Sequence, residues 1–381
     1  MGLAELFSEM GKDEKENRLN SRRLAMLTGK NAYDPVFNTK TKILITGING
    51  MVASYLADRL ILEGHEVIGT YRWQEDMSNI EHIKDKIKLI PMNLNDAWNV
   101  LRVIEEFKPD AISHLAAESY VSDSFSFPHE AINVNTLGTL NLLEAVRIVQ
   151  ENWRNRLDGD EFNIPLYNPI IHICSSSEVY GLVKKEDIPI KETQNFNPAN
   201  PYAVGKVGAD MLALMYYTNY GLKTIRTRMF THTSQRRKML SAEVNFARQI
   251  ANFEKINKEE GITEFWLKHG NLDSIRTWAH VQDAVNAYYL VLTQPKKFGE
   301  VYNIGGLDSR TIGEVLQYLL SLADKNIYIN TQLDETLLRK YDVTLQLPDI
   351  SKFKSDYPEW KPKWKFEDIM KDVLKGQRER T

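Results

Sequence analysis

The regular alternation of short apolar runs with helix-length segments most restricts the fold of this chain. From Lys42 onward, six runs have the apolar, β-branched character of strands: KILIT (42–46), HEVIGTY (65–71), IKLIPMNL (87–94), AISHLAA (111–117), PIIHICSS (169–176) and KTIRTRMF (223–230). Helices are predicted between them at 52–64, 97–107 and 132–149, and a further helix carries Tyr202. Strands spaced by such helices favour right-handed crossovers and a parallel sheet covered on both faces. The sequence therefore predicts an α/β fold with a doubly wound parallel sheet of the Rossmann type.

Two segments fall outside this alternation. Residues 1–40 are polar and mix acids with bases, so they are interpreted as an N-terminal extension. The extension is either partly helical and packed on a partner subunit, or disordered. Residues 151–168 are charged and predicted to form a loop-like insertion before the fifth strand.

Composition excludes several classes of protein. A net charge of −3 gives no reason to expect nucleic acid or a membrane as a partner. No apolar run approaches membrane-spanning length, and the N-terminus does not resemble a signal peptide. Cys174 is the only cysteine, which rules out intramolecular disulfides and a cysteine-rich metal site. We therefore predict a cytoplasmic enzyme without a metal, in which Cys174 packs in a strand.

A turn of small residues directly follows the first predicted strand. Gly47, Gly50 and Ala53 form the pattern Gly-x-x-Gly-x-x-Ala at the start of a helix. Small residues allow the backbone to approach a pyrophosphate, which then lies at the positive end of the helix. This strand–turn–helix context predicts a dinucleotide-binding site.

The end of the second predicted strand bears on the choice between NAD and NADP. An acid there would bind the ribose hydroxyls, whereas an arginine suits a 2′-phosphate. Arg72 ends this strand and gives a slight preference for NADP over NAD, although Glu75 and Asp76 follow. Asn93, after the third strand, is either an adenine ligand or a turn residue.

Tyr202 and Lys206 are four residues apart, so on a helix both side chains share one face. An ammonium beside a phenol favours the phenolate, so we expect Lys206 to lower the pKa of Tyr202. A serine after the fifth strand can orient the substrate oxygen. Glu178, in the same segment, indicates a second proton transfer, because removing a proton next to a new ketone needs a base. The alternative for Glu178 is a capping or pairing role at the strand end.

These motifs together resemble a known family. The glycine turn, SSEVYG (176–181), Tyr-x-x-x-Lys and GNLDSIRTWAHVQDA (270–284) are similar to extended short-chain dehydrogenase/reductases, and within them to GDP-mannose 4,6-dehydratases. The resemblance covers about Lys42 to Leu374. It departs from the family pattern at Thr231, Thr233 and Thr277, and RTW is also similar to CDP-glucose dehydratases, so the base and the sugar stay open.

The resemblance, together with the motifs above, implies three sets of site residues. Ser176 takes the place of the family's catalytic threonine, and two phosphates without a metal call for arginines. The catalytic set is Ser176, Ser177, Glu178, Tyr202 and Lys206. The cofactor set is Gly47, Asn49, Gly50, Met51, Val52, Ala53, Arg72, Asn93, Leu94, Leu115, Ala116, Ala117, Tyr202, Lys206, His232 and Arg237. The substrate set is Glu118, Ser119, Ser176, Arg236, Arg248, Arg276 and Arg339.

The resemblance also implies an activity and a domain organisation. The expected reaction is 4,6-dehydration of a GDP-hexose or GDP-heptose, in a homodimer or homotetramer. Residues 41–230 and 276–305 would form the NAD(P)-binding domain, and residues 231–275 and 306–381 a smaller substrate-binding lobe. The alternatives are a C4 epimerase, a C4 oxidase, a decarboxylase of the same fold, or a sensor that binds NAD(P) without turnover.

Overall fold

The computed structural model describes residues 40–156, 167–238, 241–338 and 343–381. The predicted extension (apart from its last residue), most of the charged insertion and Arg339 lie outside these ranges. Within the described chain, the strands are β1 (Lys42–Thr46), β2 (Glu66–Tyr71), β3 (Lys88–Pro91), β4 (Ala111–His114), β5 (Ile170–Ser176), β6 (Lys223–Met229), β7 (His232–Thr233), β8 (Glu264–His269), β9 (Ile275–His280), β10 (Val301–Ile304), β11 (Asp308–Thr311), β12 (Tyr328–Leu333) and β13 (Leu345–Gln346).

The helices of the described chain flank these strands. They are α1 (Met51–Leu62), α2 (Ala97–Phe107), α3 (Val121–Ser126), α4 (Pro128–Ile132), α5 (Gly138–Arg156), α6 (Pro201–Tyr220), α7 (Ala242–Glu260), α8 (Val281–Thr293), α9 (Ile312–Ser321), α10 (Ser351–Asp356) and α11 (Phe366–Arg378). A π-helical turn, Asn133–Leu137, joins α4 to α5, and a 3₁₀ turn, Ser177–Tyr180, follows β5.

The main sheet has the predicted doubly wound topology. Across the described residues its seven strands run in the order β3-β2-β1-β4-β5-β6-β10, and each neighbouring pair is parallel. The strand order reverses between β1 and β4, which is where ligands bind in open α/β sheets. The α/β fold is confirmed. Strand β10, which contains Tyr302, adds a parallel edge strand beside β6.

The predicted elements differ from the observed ones mainly at their ends. Residues 92–94 and 115–117 were predicted to lie in strands, yet they follow β3 and β4 as loops. These residues line a cleft, so their apolar side chains do not reflect sheet pairing. The helix predicted at 132–149 is divided by the π-helical turn and extends to Arg156.

Hydrophobic clusters mark two parts of the chain. One cluster lies between the main sheet and helices α2, α5 and α6. Another joins α7, α9 and α11 to residues of β8 and β9. Strand β9 pairs with β7, β11 and β13 rather than with the main sheet. The exact division of the chain into a cofactor domain and a substrate lobe stays a prediction.

The buried ring of His172 predicts how stability depends on pH. Its nitrogens contact the hydroxyls of Ser113 at 3.0 Å and Thr227 at 2.8 Å, and burial lowers its pKa to about 3. The unfolded chain protonates this histidine near pH 6.5, so the folded state loses about 1.4 kcal/mol per pH unit below that value.

We expect the free energy of unfolding in urea to fall between pH 7 and pH 5, and to fall less steeply in His172→Gln. The matched control is the same substitution at the exposed His129. Parallel pH dependence in His172→Gln and the wild-type protein would contradict the assignment of a neutral buried ring.

Candidate active site

The turn after β1 brings backbone amides to the edge of the sheet. Gly47 has φ +68°, and an added Cβ would lie 2.9 Å from the Cα of Ala116. Gly50 occupies the N-cap of α1, and glycine has no side chain with which to cap the helix. The N–H groups of the first turn therefore point out of the helix as an anion-binding end.

A cleft of about 530 Å³ opens at this turn. The predicted cofactor residues that line it are Gly47, Asn49, Gly50, Met51, Val52, Ala53, Arg72, Asn93, Leu94, Leu115, Ala116, Ala117, Tyr202, His232 and Arg237, and the predicted substrate residues are Glu118, Ser119 and Arg236. The wall also contains residues that are absent from the predicted cofactor and substrate sets: Thr70, Tyr71, Glu75, Asp76, Asn79, Met92, Tyr120, Glu130, Val134 and Lys238. Lys206 lies behind the wall, and it is only 6% exposed.

The loop after β4 is held by a chain of hydrogen bonds. The hydroxyl oxygen of Thr46 accepts from the backbone N–H of Leu115 at 3.1 Å and of Ala116 at 3.0 Å. Its own proton is then donated to Nδ1 of His114, at 2.9 Å. The other ring nitrogen donates to Thr139, whose hydroxyl donates in turn to a main-chain carbonyl. Burial, and then the nearby charge of Lys206, lower the pKa of His114 to about 3. The ring is therefore neutral, and its two hydrogen bonds hold it in a single tautomer.

Helix α6 carries Tyr202 and Lys206 to the carboxyl end of β5. Asn200 caps the helix by accepting from the N–H of Ala203 at 2.8 Å, and Pro201 follows in the first turn. The ammonium of Lys206 donates to the carbonyl of Cys174 at 2.8 Å and lies 6.0 Å from the ring centre of Tyr202. The tyrosine and the lysine are therefore neighbours, as the spacing predicts.

The pKa of Tyr202 moves opposite to the sequence-based expectation. Burial raises it, the hydrogen bond with Ser176 opposes the rise, and the charge of Glu178 adds to it. Burial also lowers the pKa of Lys206, whose proton is directed at Cys174 rather than at the phenol. The expected lowering of the Tyr202 pKa is therefore wrong for this structure: the pKa is raised, and desolvation of the phenol is the largest cause.

A buried ion cluster fixes helix α6 on the sheet. Asp210, two turns after Tyr202, accepts from Arg226 at 2.9 Å and from Arg228 at 2.9 Å, both on β6. Burial alone would raise the pKa of Asp210, but these two cations lower it. Replacing one partner would leave a buried charge uncompensated. This cluster therefore holds the helix that carries Tyr202 and Lys206 against strand β6.

Glu178 lies in the 3₁₀ turn that follows β5. Ser176 caps this turn by accepting from the N–H of Glu178 at 3.2 Å. The carboxylate accepts from the amide of Asn200 at 3.0 Å and from the amide of Gln346 at 2.8 Å. Neither amide was predicted from the sequence. The hydroxyl of Ser177 is buried and donates to Gln346 at 3.1 Å, so its proton is already engaged.

The remaining predicted residues divide into two groups. Arg236 pairs with Asp58 at 2.7 Å, and Arg237 donates to the carbonyl of His232 at 2.6 Å; both arginines line the cleft. The side-chain oxygen of Asn93 accepts from the N–H of Asn95 at 3.0 Å, which is the turn role left open above, although Asn93 also lines the cleft.

Two predicted arginines are not among the residues that line the cleft. Arg248, on α7, donates to the carbonyl of Lys238 at 2.8 Å. Arg276, on β9, stands opposite Gln346 in the strand ladder. Cys174 contacts the hydroxyl of Tyr288 at 3.3 Å and packs in its strand. Among the residues with described positions, no group of three or more possible metal ligands is present.

Sequence similarity places the chain in a known family. The profile of the GDP-mannose 4,6 dehydratase family matches residues 44–373. The chain belongs to this family. The predicted resemblance is therefore confirmed. A relative from Yersinia enterocolitica, GDP-mannose 4,6-dehydratase, is 37% identical over 262 residues, which cover 66% of this chain and 64% of the relative. The aligned part thus spans a little under two thirds of that relative's length.

Solved structures share the fold at lower identity. The UDP-glucose 4-epimerase of Thermus thermophilus in complex with NAD has a TM-score of 0.72 and 24% identity, covering 88% of this chain and 98% of that one. RMD from Pseudomonas aeruginosa, complexed with NADPH, has a TM-score of 0.69 and 24% identity, covering 90% and 100%. In the part of the chain that is described, no helix is long and apolar enough to cross a membrane.

The close approach at Gly47 generates a test of the cleft. Gly47→Ala should weaken binding of NAD and NADP alike by about tenfold or more, ~1.4 kcal/mol, because the added Cβ pushes against Ala116. Isothermal titration calorimetry would measure the two dissociation constants.

Gly221→Ala is the matched control, since Gly221 also has φ +68° but its Cβ would meet no atom within 4 Å. It should cost about 1 kcal/mol of stability while leaving dinucleotide binding unchanged. Equal affinities for both variants would show that the turn at Gly47 does not shape the binding cleft.

Proposed function

We propose that this family member is a nucleotide-sugar 4,6-dehydratase, an NAD(P)-dependent lyase acting on GDP-mannose or a related GDP-heptose. The main support is the position of Glu178 beside the helix that carries Tyr202. Its carboxylate accepts from the N-cap residue Asn200 at 3.0 Å, and its turn is capped by Ser176, which also hydrogen-bonds to Tyr202. Oxidation of an alcohol needs the tyrosine and the lysine, whereas water elimination also needs a carboxylate. The name of the Yersinia relative supports the same activity.

The shape and polarity of the cleft fit a dinucleotide cofactor. The backbone around Gly47 leaves no room for a side chain. The N-terminus of α1, with the N–H groups of its first turn, faces the cleft beside Gly50. Both features suit a pyrophosphate. A nicotinamide held by the turn at Gly47 and Gly50 would supply a hydride acceptor for sugar carbon C4 and a hydride donor for C6, where addition would be balanced by protonation at C5.

The residues of the site divide the reaction between them. Tyr202, oriented by Ser176, takes the proton of the C4 hydroxyl, and Lys206 places a positive charge near the resulting phenolate. The C4 ketone acidifies C5, and Glu178 removes that proton. The C6 hydroxyl then leaves as water, which takes up a proton from Glu178. The hydroxyl of Ser177 donates to Gln346, which favours Glu178 over Ser177 as this proton donor.

The nucleotide part of the substrate needs cations. Arg236, at the rim of the cleft, is a candidate for a phosphate contact, with Glu118 and Ser119 beside the sugar. Arg248 belongs to the proposed substrate lobe, whereas Arg276 begins the second segment of the proposed cofactor domain. A homodimer or homotetramer and a cytoplasmic location are proposed on the family resemblance.

The proposal predicts a specific change of mass. Purified protein with NADP or NAD should convert GDP-mannose to a product lighter by one water, measured by mass spectrometry. An unchanged mass with a new epimer would instead establish a C4 epimerase, and loss of carbon dioxide from an acidic sugar a decarboxylase.

Two variants separate the catalytic roles. Tyr202→Phe should lose turnover by about 100-fold or more but keep its affinity for the dinucleotide. Glu178→Gln should keep oxidation at C4 and lose water elimination. Normal turnover by Tyr202→Phe would disprove the assignment of Tyr202 as the base.

The surroundings of Arg72 generate a prediction about cofactor choice. Its guanidinium contacts Glu75 at 2.8 Å, Glu118 at 3.0 Å and Glu130 at 3.6 Å. These carboxylates compete with a 2′-phosphate for the same cation. Glu75→Gln should therefore strengthen binding of NADP relative to NAD by about two- to fivefold, the value of one exposed ion pair.

The ratio of the two dissociation constants measures this effect. The matched control is Glu63→Gln, which removes the carboxylate of an ion pair with Arg59 at 2.8 Å, away from the cleft wall. A ratio unchanged by Glu75→Gln would mean that Arg72 does not select the cofactor.

A further inference from the structure

Gln346 connects strand β13 to the candidate base. The residue is 3% exposed, although its side chain is polar. Its amide nitrogen donates to one carboxylate oxygen of Glu178 at 2.8 Å, and its amide oxygen accepts from the hydroxyl of Ser177 at 3.1 Å. A buried amide with both ends paired is costly to replace and holds a defined position.

The orientation of the amide follows from its partners. If the Gln346 amide were reversed, its oxygen would face the carboxylate of Glu178, and two acceptors would meet without a proton between them. The hydroxyl of Ser177 therefore donates, and the nitrogen faces Glu178. Asn200 is fixed in the same way, because its oxygen accepts from the N–H of Ala203 and its nitrogen faces the other carboxylate oxygen.

The backbone that carries Gln346 is also held. Strand β13 pairs with β9, where Gln346 stands opposite Arg276. The next residue, Leu347, accepts from the N–H of Ile190 at 2.8 Å, and Asp349 donates back to Ile190 at 2.8 Å. The amide of Gln346 is therefore held in a fixed position by a part of the chain that is distant in sequence from Glu178. Glu178 itself is only half-buried.

We propose that Gln346 is a positioning residue for water elimination. It holds the carboxylate of Glu178 in the orientation that takes the proton from C5 of the sugar, and Ser177 fixes the amide that does so. The C5–H bond breaks, its electron pair forms the C5–C6 double bond, and the C6 hydroxyl leaves as water with the proton from Glu178. This role rests on the proposed dehydratase function. Oxidation at C4 does not involve it, since Tyr202 and Ser176 contact each other without Gln346.

The test separates elimination from oxidation. Gln346→Met keeps a side chain of similar size and removes both amide contacts. With GDP-mannose in deuterated water, the rates of deuterium uptake at C5 and of water loss should fall about 10- to 100-fold, because a misplaced catalytic group loses that much. The KM and the rate of C4 oxidation, followed by nicotinamide absorbance in a single turnover, should stay near wild type.

Controls make the result specific to this contact. Gln332→Met is the matched variant on β12, where the glutamine is exposed, and should behave as the wild type. Glu178→Gln should show the same selective loss as Gln346→Met. Thermal unfolding and dinucleotide binding, measured for each variant, report whether the fold is retained.

Each outcome decides the proposal. Wild-type elimination by folded Gln346→Met, or an equal fall in oxidation and elimination, overturns the positioning role. If Gln346→Met does not fold, Ser177→Ala decides instead: a smaller loss confined to elimination supports the role, and unchanged elimination overturns it. A wild-type protein that neither exchanges C5 nor loses water overturns the proposed function together with this role, and is recognised before any variant is measured.

Discussion

The rest of the site depends on the hydrogen bond that the buried ammonium of Lys206 makes with the main chain. The ammonium donates to the carbonyl of Cys174 and so joins helix α6 to the end of β5. Burying this cation costs desolvation energy. The carbonyl of Cys174 and the nearby ring of Tyr202 offset that cost. The ion cluster of Asp210 secures the same helix one turn further on. Both contacts hold α6 against the sheet, where Tyr202 meets Ser176.

The parts of the structure that depend on local pattern were predictable. Apolar runs located the strands, and the small residues at Gly47 and Gly50 located the cleft, because both signals act over a few residues. The ends of two strands were misplaced, since Leu94 and Leu115 are apolar in order to line a cleft rather than to pair. Periodicity alone does not distinguish these two uses of an apolar side chain.

Other features required the folded chain. Spacing placed Lys206 beside Tyr202, but it did not reveal that burial raises the pKa of the phenol. Electrostatics in a site depend on what surrounds each charge, and that environment comes from several elements at once. Gln346 was missed for the same reason: its neighbours in sequence form a short strand, LQ, with no motif to mark a contact with Glu178.

The amides that hold Glu178 come from very different points of the chain. Asn200 lies 22 residues after it, within the same α/β unit, whereas Gln346 lies 168 residues after it. During synthesis on the ribosome, the first amide can reach the carboxylate long before the second has been translated. A nascent polypeptide therefore cannot hold this carboxylate as the finished protein does, however well its earlier strands have already folded.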